Sequence, residues 1–421
     1  MIRFGEFQSF ATLEISAGSG EGAACAVWSY GSDMSATIQM KEIYKMRKIG
    51  LTMATISTLS SLAMVNIPDD TELEHECTSW MVFKDLTRNN TNILHKNRDS
   101  KVTNIAVLLS PENSKRKWIA LGSGNCNMGM NSSGLAGVMN SGEICSKPTV
   151  DESKKHTPAM MKVILDSCDT AAEAVVALKK LIDAGDYYHG DRGSIFFLMD
   201  TKEGYICEFT TDHFTVQPYD SGYAVRANIW QNPGMQFYSR NTIKRHLDSS
   251  ARAHVAFSGL NQMMEKDGKI TLSGIFDLSR HYAMPEESHE KRSVCFKNTC
   301  STSSLEIDRQ YPDVLSTGYF TLGHPRNTIY IPVPVCAEKI LPSMGDYSWS
   351  NVAIKRLKEL GYGAPIPEEW ANFESSSMAE YAKAKEEARK MLDAGKRAEA
   401  IKLLNETAYK IWCGAEKLMN I

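Results

Sequence analysis

Apolar residues return at alternate positions just after Cys77. Trp80 and Val82 precede a polar stretch at 87–92, and Ile93 and Leu94 follow it. This pattern predicts a β-hairpin whose first strand opens with the cysteine. Apolar runs at 105–109 and 118–121 predict further strands, and 128–140 reads as the turn Asn131-Ser132-Ser133-Gly134 followed by another. Over 158–184 the period becomes helical, with Thr157 as candidate N-cap. A break falls near 168–170, where Asp169 or Thr170 can cap a second, alanine-rich helix that Gly185 closes. Strand patterning resumes at 194–199, 205–209, 214–216 and 223–226, with a tight polar turn at 200–204, as in an antiparallel meander. Residues 237–254 and 255–264 predict helix, 285–304 reads as a polar surface loop, and 314–322 and 328–331 read as late strands. From Trp349 the chain is helical, and Gly395 divides the Ala-, Glu- and Lys-rich stretch 375–419 into two helices with solvated charged faces. The order strands, helices, strands, helices predicts a layered α+β fold of the αββα kind rather than a doubly wound parallel sheet. Residues 18–22 are glycine-rich, but no strand–helix context makes them a phosphate loop.

The N-terminal part is of a different character. Residues 1–45 show no hydrophobic period and no basic start, and are expected to be a mis-called or disordered extension, with translation beginning at Met40 or Met46. Met46-Arg47-Lys48 precedes a run of apolar and small residues that ends in Ser61-Leu62-Ala63. This is the layout of a secretory signal over 46–63, too short and too rich in Ser and Thr for a membrane span. The expectation is export to the periplasm or the exterior, with a short propeptide at 64–76.

Composition narrows the function classes. The 421 residues are 43% hydrophobic and 23% charged, with a formal net charge of −3. The length suits one large domain or two small ones, and the charge offers no basic field for nucleic acid or an anionic membrane surface. Ten cysteines occur without a C-x-x-C, and ten histidines without metal-ligand spacing, so neither a metal nor a cofactor is expected. In an exported chain Cys295 with Cys300, or Cys126 with Cys145, are thinkable disulfides, but the spacings fix no connectivity.

The chemistry concentrates at Glu76-Cys77-Thr78-Ser79-Trp80 and, further on, Lys96-Asn97-Arg98-Asp99. A cysteine placed where cleavage makes it N-terminal can use its own α-amine as base. That amine titrates near ~7.7–8.0, and the thiolate is the reactive form of the side chain. No cysteine–histidine pair is then required.

Four segments in order carry a resemblance: Cys77-Thr78-Ser79, the run from His95 to Asp99, the run from Gly129 to Asn140, and Ala224-Val225-Arg226-Ala227-Asn228. Together, over roughly 77–340, they resemble the N-terminal-nucleophile hydrolases. Within these they are similar to the choloylglycine hydrolases, penicillin V acylases and acyl-CoA:6-aminopenicillanic-acid acyltransferases, with certain dipeptidases as near relatives. The resemblance implies a four-layer αββα sandwich, here at 77–345, and the helical pattern beyond it makes 346–421 a C-terminal helical extension. The resemblance also implies self-cleavage before the cysteine, and hydrolysis of a linear amide, or acyl transfer, through a thioester. By position, Cys77 would be the nucleophile and Asp99 the acceptor that holds and tunes the new amine. Asn140 and Asn228 would orient substrate and form the oxyanion hole. Arg252, in Ser249-Ser250-Ala251-Arg252, matches the later catalytic arginine, although its interval from Asn228 is short. Lys96 stands where the bile-salt and penicillin V enzymes mostly carry Arg. A point charge in place of a planar fork argues against carrying bile-salt preference over. Arg98, in the same turn, is expected to face outward. Trp80, Met139 and Trp230, close in sequence to these positions, are expected to line an acyl pocket for a small N-acyl amide substrate. Homo-oligomerisation is left open. The alternatives are a dipeptidase and a catalytically inactive secreted binding protein on the same fold.

Overall fold

A computed structural model describes residues 13–17, 24–30, 34–39, 77–149, 154–188, 190–282 and 293–421. The expected signal and propeptide lie outside the described residues. The chain divides into two compact units, Met1–Glu72 and Leu73–Ile421. In the first, Leu13–Ala17, Ala24–Tyr30 and Met34–Gln39 pair as a three-stranded antiparallel sheet. Its strands mix apolar residues with Ala, Ser and Thr, which blurs the contrast between faces and hides the period-two signal.

The larger unit opens with strands β1 (Thr78–Val82), β2 (Asn92–Asp99), β3 (Ala106–Leu109), β4 (Trp118–Gly122), β5 (Cys126–Asn131) and β6 (Ala136–Thr149). Helices α1 (Pro158–Ser167) and α2 (Ala171–Asp183) lead to β7 (Gly190–Met199), β8 (Gly204–Phe209), β9 (Phe214–Tyr219) and β10 (Tyr223–Arg226). Then come α3 (Ile243–Asp267), α4 (Leu272–Ser279), β11 (Thr299–Ile307), β12 (Thr317–Thr321) and β13 (Ile331–Pro334). Helices α5 (Ser348–Leu360), α6 (Glu368–Asp393) and α7 (Arg397–Met419) follow.

The strands form two antiparallel sheets. One has the order β10-β1-β2-β11-β12-β13, the other β9-β8-β7-β6-β5-β4-β3. Side-chain alternation sorts the faces. On β7, Ile195, Phe197 and Met199 join the core between the sheets, while Phe196 and Leu198 pack with α1 and α2. Helices α3, α4, α6 and α7 contact the six-stranded sheet. The layer order is therefore αββα, as expected.

Local signals account for several boundaries. Thr170 accepts a hydrogen bond from the Glu173 N–H and starts α2, whereas Thr157 makes no side-chain cap and Pro158 opens α1. Helix α3 begins later than predicted, because Met235–Tyr238 forms a 3₁₀ turn and the cap is Thr242. The stretch 314–322 divides into the helical turn Pro312–Leu315 and strand β12. The largest departure is β11. The end of the presumed loop at 285–304 is a fully buried central strand of Thr, Cys and Ser. Its hydroxyls are hydrogen-bonded: Thr302 Oγ1 lies 2.9 Å from Thr321 Oγ1 and 2.7 Å from Tyr330, and Ser304 lies 2.8 Å from His95 Nδ1. Hydropathy reads such a strand as surface because it does not register partners that satisfy polar groups inside.

The C-terminal helices are tied to the end of α4 and to the six-stranded sheet by buried polar contacts. Glu374 on α6 pairs with Arg280 through two 2.7 Å bonds, Lys385 meets Glu306 of β11 at 2.5 Å, and Trp412 on α7 donates to the Pro332 carbonyl at 2.8 Å. The nine described cysteines are all free, so Cys295 is not joined to Cys300, nor Cys126 to Cys145. No described helix is long and apolar enough to cross a membrane.

Candidate active site

Cys77 lies at the head of β1 and is 5% exposed, with its Sγ 3.9 Å from the Asp99 carbonyl oxygen. One guanidinium ties it to two other elements. Arg252, fully buried on α3, donates from Nη1 to the Cys77 carbonyl at 2.9 Å and to Thr78 Oγ1 at 3.1 Å. From Nη2 it donates to Asn228 Oδ1 at 3.0 Å and to Ser249 Oγ at 3.2 Å. The short interval from Asn228 to Arg252 is thus long enough: Asn228 follows β10, and α3 passes directly over the start of β1.

The side of β1 that faces the other sheet carries Cys77 and Ser79, opposite the strand position of Lys96. Lys96 is 1% exposed. Its Nζ donates to the Met139 carbonyl and, at 3.1 Å, to Asn140 Oδ1, on the face of the strand pair that also carries Cys77. Burial lowers the Lys96 pKa, and the neighbouring Cys77 pulls the other way. Ser79 Oγ donates to the same Asn140 oxygen at 2.8 Å. The Asn140 amide nitrogen faces the Arg226 and Ala227 carbonyls at 3.4 and 3.2 Å. Asn140 is therefore a buried clip between the two sheets, with its amide nitrogen directed to backbone carbonyls. Asn228 donates to the Ser141 carbonyl at 2.8 Å, and among the described residues its second amide proton has no acceptor.

Asp99 ends β2, where its Oδ1 accepts a 2.6 Å bond from Thr299 Oγ1. Thr299 was not singled out in the sequence, because it fell in the presumed polar loop. A cavity of about 220 Å³ opens beside it, lined in part by Ser100, Lys101, Lys297, Thr299 and Cys300. Arg98 turns inward rather than outward. It is 7% exposed, with Nη1 on Cys300 Sγ at 3.2 Å and on the Val102 carbonyl at 3.3 Å.

The three expected pocket residues are not brought to the thiol. Trp80 is fully buried and stacks on His95 at 4.0 Å on the helix-covered face of β1, the opposite face from Cys77. Met139 offers its carbonyl to Lys96, but its side chain packs with the α1–α2 cluster. Trp230 is fully buried against Gly142 and Gly193, where an added Cβ would meet its ring. It supports the segment that carries Asn228. That segment has an anchor the sequence did not reveal. Buried Glu208 on β8 takes a 3.2 Å bond from Arg226 Nε and bonds of 2.7–2.9 Å from the Gln231 and Asn232 N–H groups. Burial raises the Glu208 pKa against the pull of Arg226 and these amides. Only a contact map places an acid of one sheet beneath the end of another, so no local signal was available for it.

Burial pushes the thiols of Cys126, Cys145 and Cys336 up to about 12, out of the reactive range. Among the described residues no group of three or more His, Cys, Asp or Glu is placed to hold a metal ion.

No family model matches the chain. No curated protein is similar to it. Among solved structures it is similar to two variants of conjugated bile acid hydrolase from Clostridium perfringens, each at 14% identity over 61% of this chain and 92% of that one, with TM-scores of 0.41 and 0.42. It is also similar to penicillin V acylase from Agrobacterium tumefaciens, at 15% identity over 61% and 86%, with a TM-score of 0.40.

Proposed function

We propose that this protein is an exported, self-processing cysteine amidohydrolase that cleaves a linear amide through a thioester on an N-terminal Cys77. The observation that carries the reading is Arg252, which holds the Cys77 carbonyl and the Asn228 side chain on one buried fork, with Lys96 on the thiol's face of the paired strands. Such a fork fixes a nucleophile and a neutral donor in one frame, and positioning of this kind supplies much of the rate in acyl transfer.

In the mature chain the Cys77 α-amine accepts the thiol proton, and the thiolate attacks the amide carbonyl carbon. The C=O π pair moves to oxygen. The second N–H of Asn228 is the donor for that oxyanion, a contribution typically worth ~10²–10³ in rate. Asn140, with its amide directed to backbone carbonyls, positions Lys96 and Ser79 instead. Collapse breaks the C–N bond, the leaving amine takes the proton from the α-ammonium, and water then cleaves the thioester. If a second amine replaces water, the same site performs acyl transfer. The substrate is a small N-acyl amine or N-acyl amino acid. With a lysine at position 96, bile salts are not the first expectation.

The test is amine release from a panel of N-acyl amino acids, penicillin V, conjugated bile salts and dipeptides, with Cys77→Ala as control. N-acyl substrates should be cleaved by the wild type and not by Cys77→Ala. Cleavage confined to dipeptides with a free amine would replace this reading with that of a dipeptidase.

A further inference from the structure

Before processing, the nitrogen of Cys77 belongs to the Glu76–Cys77 peptide bond and has no basic lone pair. The α-amine that serves the mature enzyme is therefore unavailable for the step that creates it. We infer that Lys96 is the proton acceptor for the Cys77 thiol in self-cleavage, so that two different amines serve the same sulfur before and after processing. The inference rests on the self-processing reading above.

The surroundings of Nζ support this role. Apart from its carbon, a lysine nitrogen has three tetrahedral positions; two are taken here by the Met139 carbonyl oxygen and by Asn140 Oδ1 at 3.1 Å, and the third is left for Cys77, on the same face of the paired strands. In the neutral amine the two N–H bonds point to the two oxygens and the lone pair to the thiol. In the ammonium the third N–H points to the thiolate. Both protonation states fit the cage without rearrangement. The oxygens are fixed in turn, since Met139 and Asn140 lie in β6 and Asn140 is pinned by Ser79 and by the Arg226 and Ala227 carbonyls.

The charged and titratable groups bearing on Lys96 are Cys77 from β1 and Arg98 and Asp99 from its own strand. From β6, Met139 and Asn140 present only neutral oxygens to it. Burial favours the neutral amine, as a base requires. An arginine at this position could hold a thiolate but could not accept its proton.

The step balances as a proton and a bond exchanged. The thiol proton passes to Nζ, and Sγ bonds to the Glu76 carbonyl carbon. The tetrahedral centre collapses with cleavage of the C–N bond, and the freed α-nitrogen recovers the proton from Nζ. Water then hydrolyses the thioester, leaving a carboxylate on Glu76 and a free thiol on Cys77.

The experiment follows the cleavage of freshly made full-length chain by intact mass across a pH series, for wild type, Lys96→Arg and Lys96→Gln. Arginine keeps the charge. Glutamine keeps a donor for the neighbouring oxygens without a basic lone pair, so either variant can stand alone if the other fails to fold. Each should cleave roughly 10²-fold more slowly at neutral pH, the usual contribution of a positioned base. The wild-type rate should rise with pH and level off below the ordinary lysine range, while the variants keep rising as hydroxide ionises the thiol directly. A folded variant that cleaves at the wild-type rate would overturn the role of Lys96 and leave self-processing intact. A wild-type chain that never loses the residues before Cys77 would overturn the self-processing reading and this role with it.

Discussion

Arg252 makes four buried hydrogen bonds from one planar group, to Cys77, Thr78, Asn228 and Ser249. Lysine at this position would carry the charge without the fork, and would serve either the Cys77 carbonyl or Asn228 but not both. Arg252→Lys should therefore lower kcat/KM by roughly 10² and cost on the order of 2 kcal/mol of stability, because acceptors that lose their donor remain buried. Amine release and urea denaturation would measure the two effects, and unchanged turnover would show Arg252 to be structural only. Residue types were the legible part of the site: Cys77, Asp99, Asn228 and Arg252 stood out by kind and order, and the structure connects Cys77, Asn228 and Arg252 through one guanidinium. Orientation was less legible. Period-two alternation could have told that Trp80 and Cys77 lie on opposite faces of β1, but nearness in sequence was read as nearness in space. Lys96 was noticed as a departure from arginine; that two oxygens hold its amine depends on β6, more than forty residues on.

At the level of elements, the segment after β10 carries Asn228 and is held from two sides, by Glu208 and by the packing of Trp230 on Gly142 and Gly193. A methyl group at Gly193 would collide with the Trp230 ring and with the Phe209 carbonyl. Gly193→Ala should destabilise the protein by about 1–3 kcal/mol, the usual cost of overpacking, and should lower kcat more than it raises KM by moving Asn228. A melting temperature and kinetics equal to wild type would mean that Trp230 shifts freely and does not support the site. Elements with regularly spaced apolar positions were well read from the sequence, among them β1, β2, β7, β8 and the capped helix α2. Strand β11 was not, because nearly every hydroxyl it buries answers to a partner on another strand or on the chain nearby, and such partners have no local signature.

Over the whole unit, two histidines are locked into the core as neutral imidazoles. Burial lowers His95 and His324 from 6.5 to about 3. Between those values the unfolded chain takes up two protons that the folded chain refuses, so this stability is complete above pH 6.5 and is lost as the pH falls through the window. The slope is at most about 1.4 kcal/mol per pH unit for each imidazole. Glu208, raised by burial, acts in the opposite sense. The urea midpoint should fall from about pH 7 to about pH 4.5, and His324→Gln should make that fall shallower. A midpoint independent of pH in the wild type would contradict the neutral, buried assignment.

The layered architecture was legible from element order alone, and the seat of the C-terminal helices was not, since Glu374, Lys385 and Trp412 gain meaning only from the distant elements they meet, the end of α4 and the strands β11 and β13. All of the chemistry proposed for this molecule depends on one covalent fact, the identity of its first residue after maturation. Intact mass of the active protein measures it directly. The account predicts a chain that begins Cys77-Thr78-Ser79 in the wild type and an uncleaved chain in Cys77→Ala. A fully active protein that still carries residues before Cys77 would contradict it.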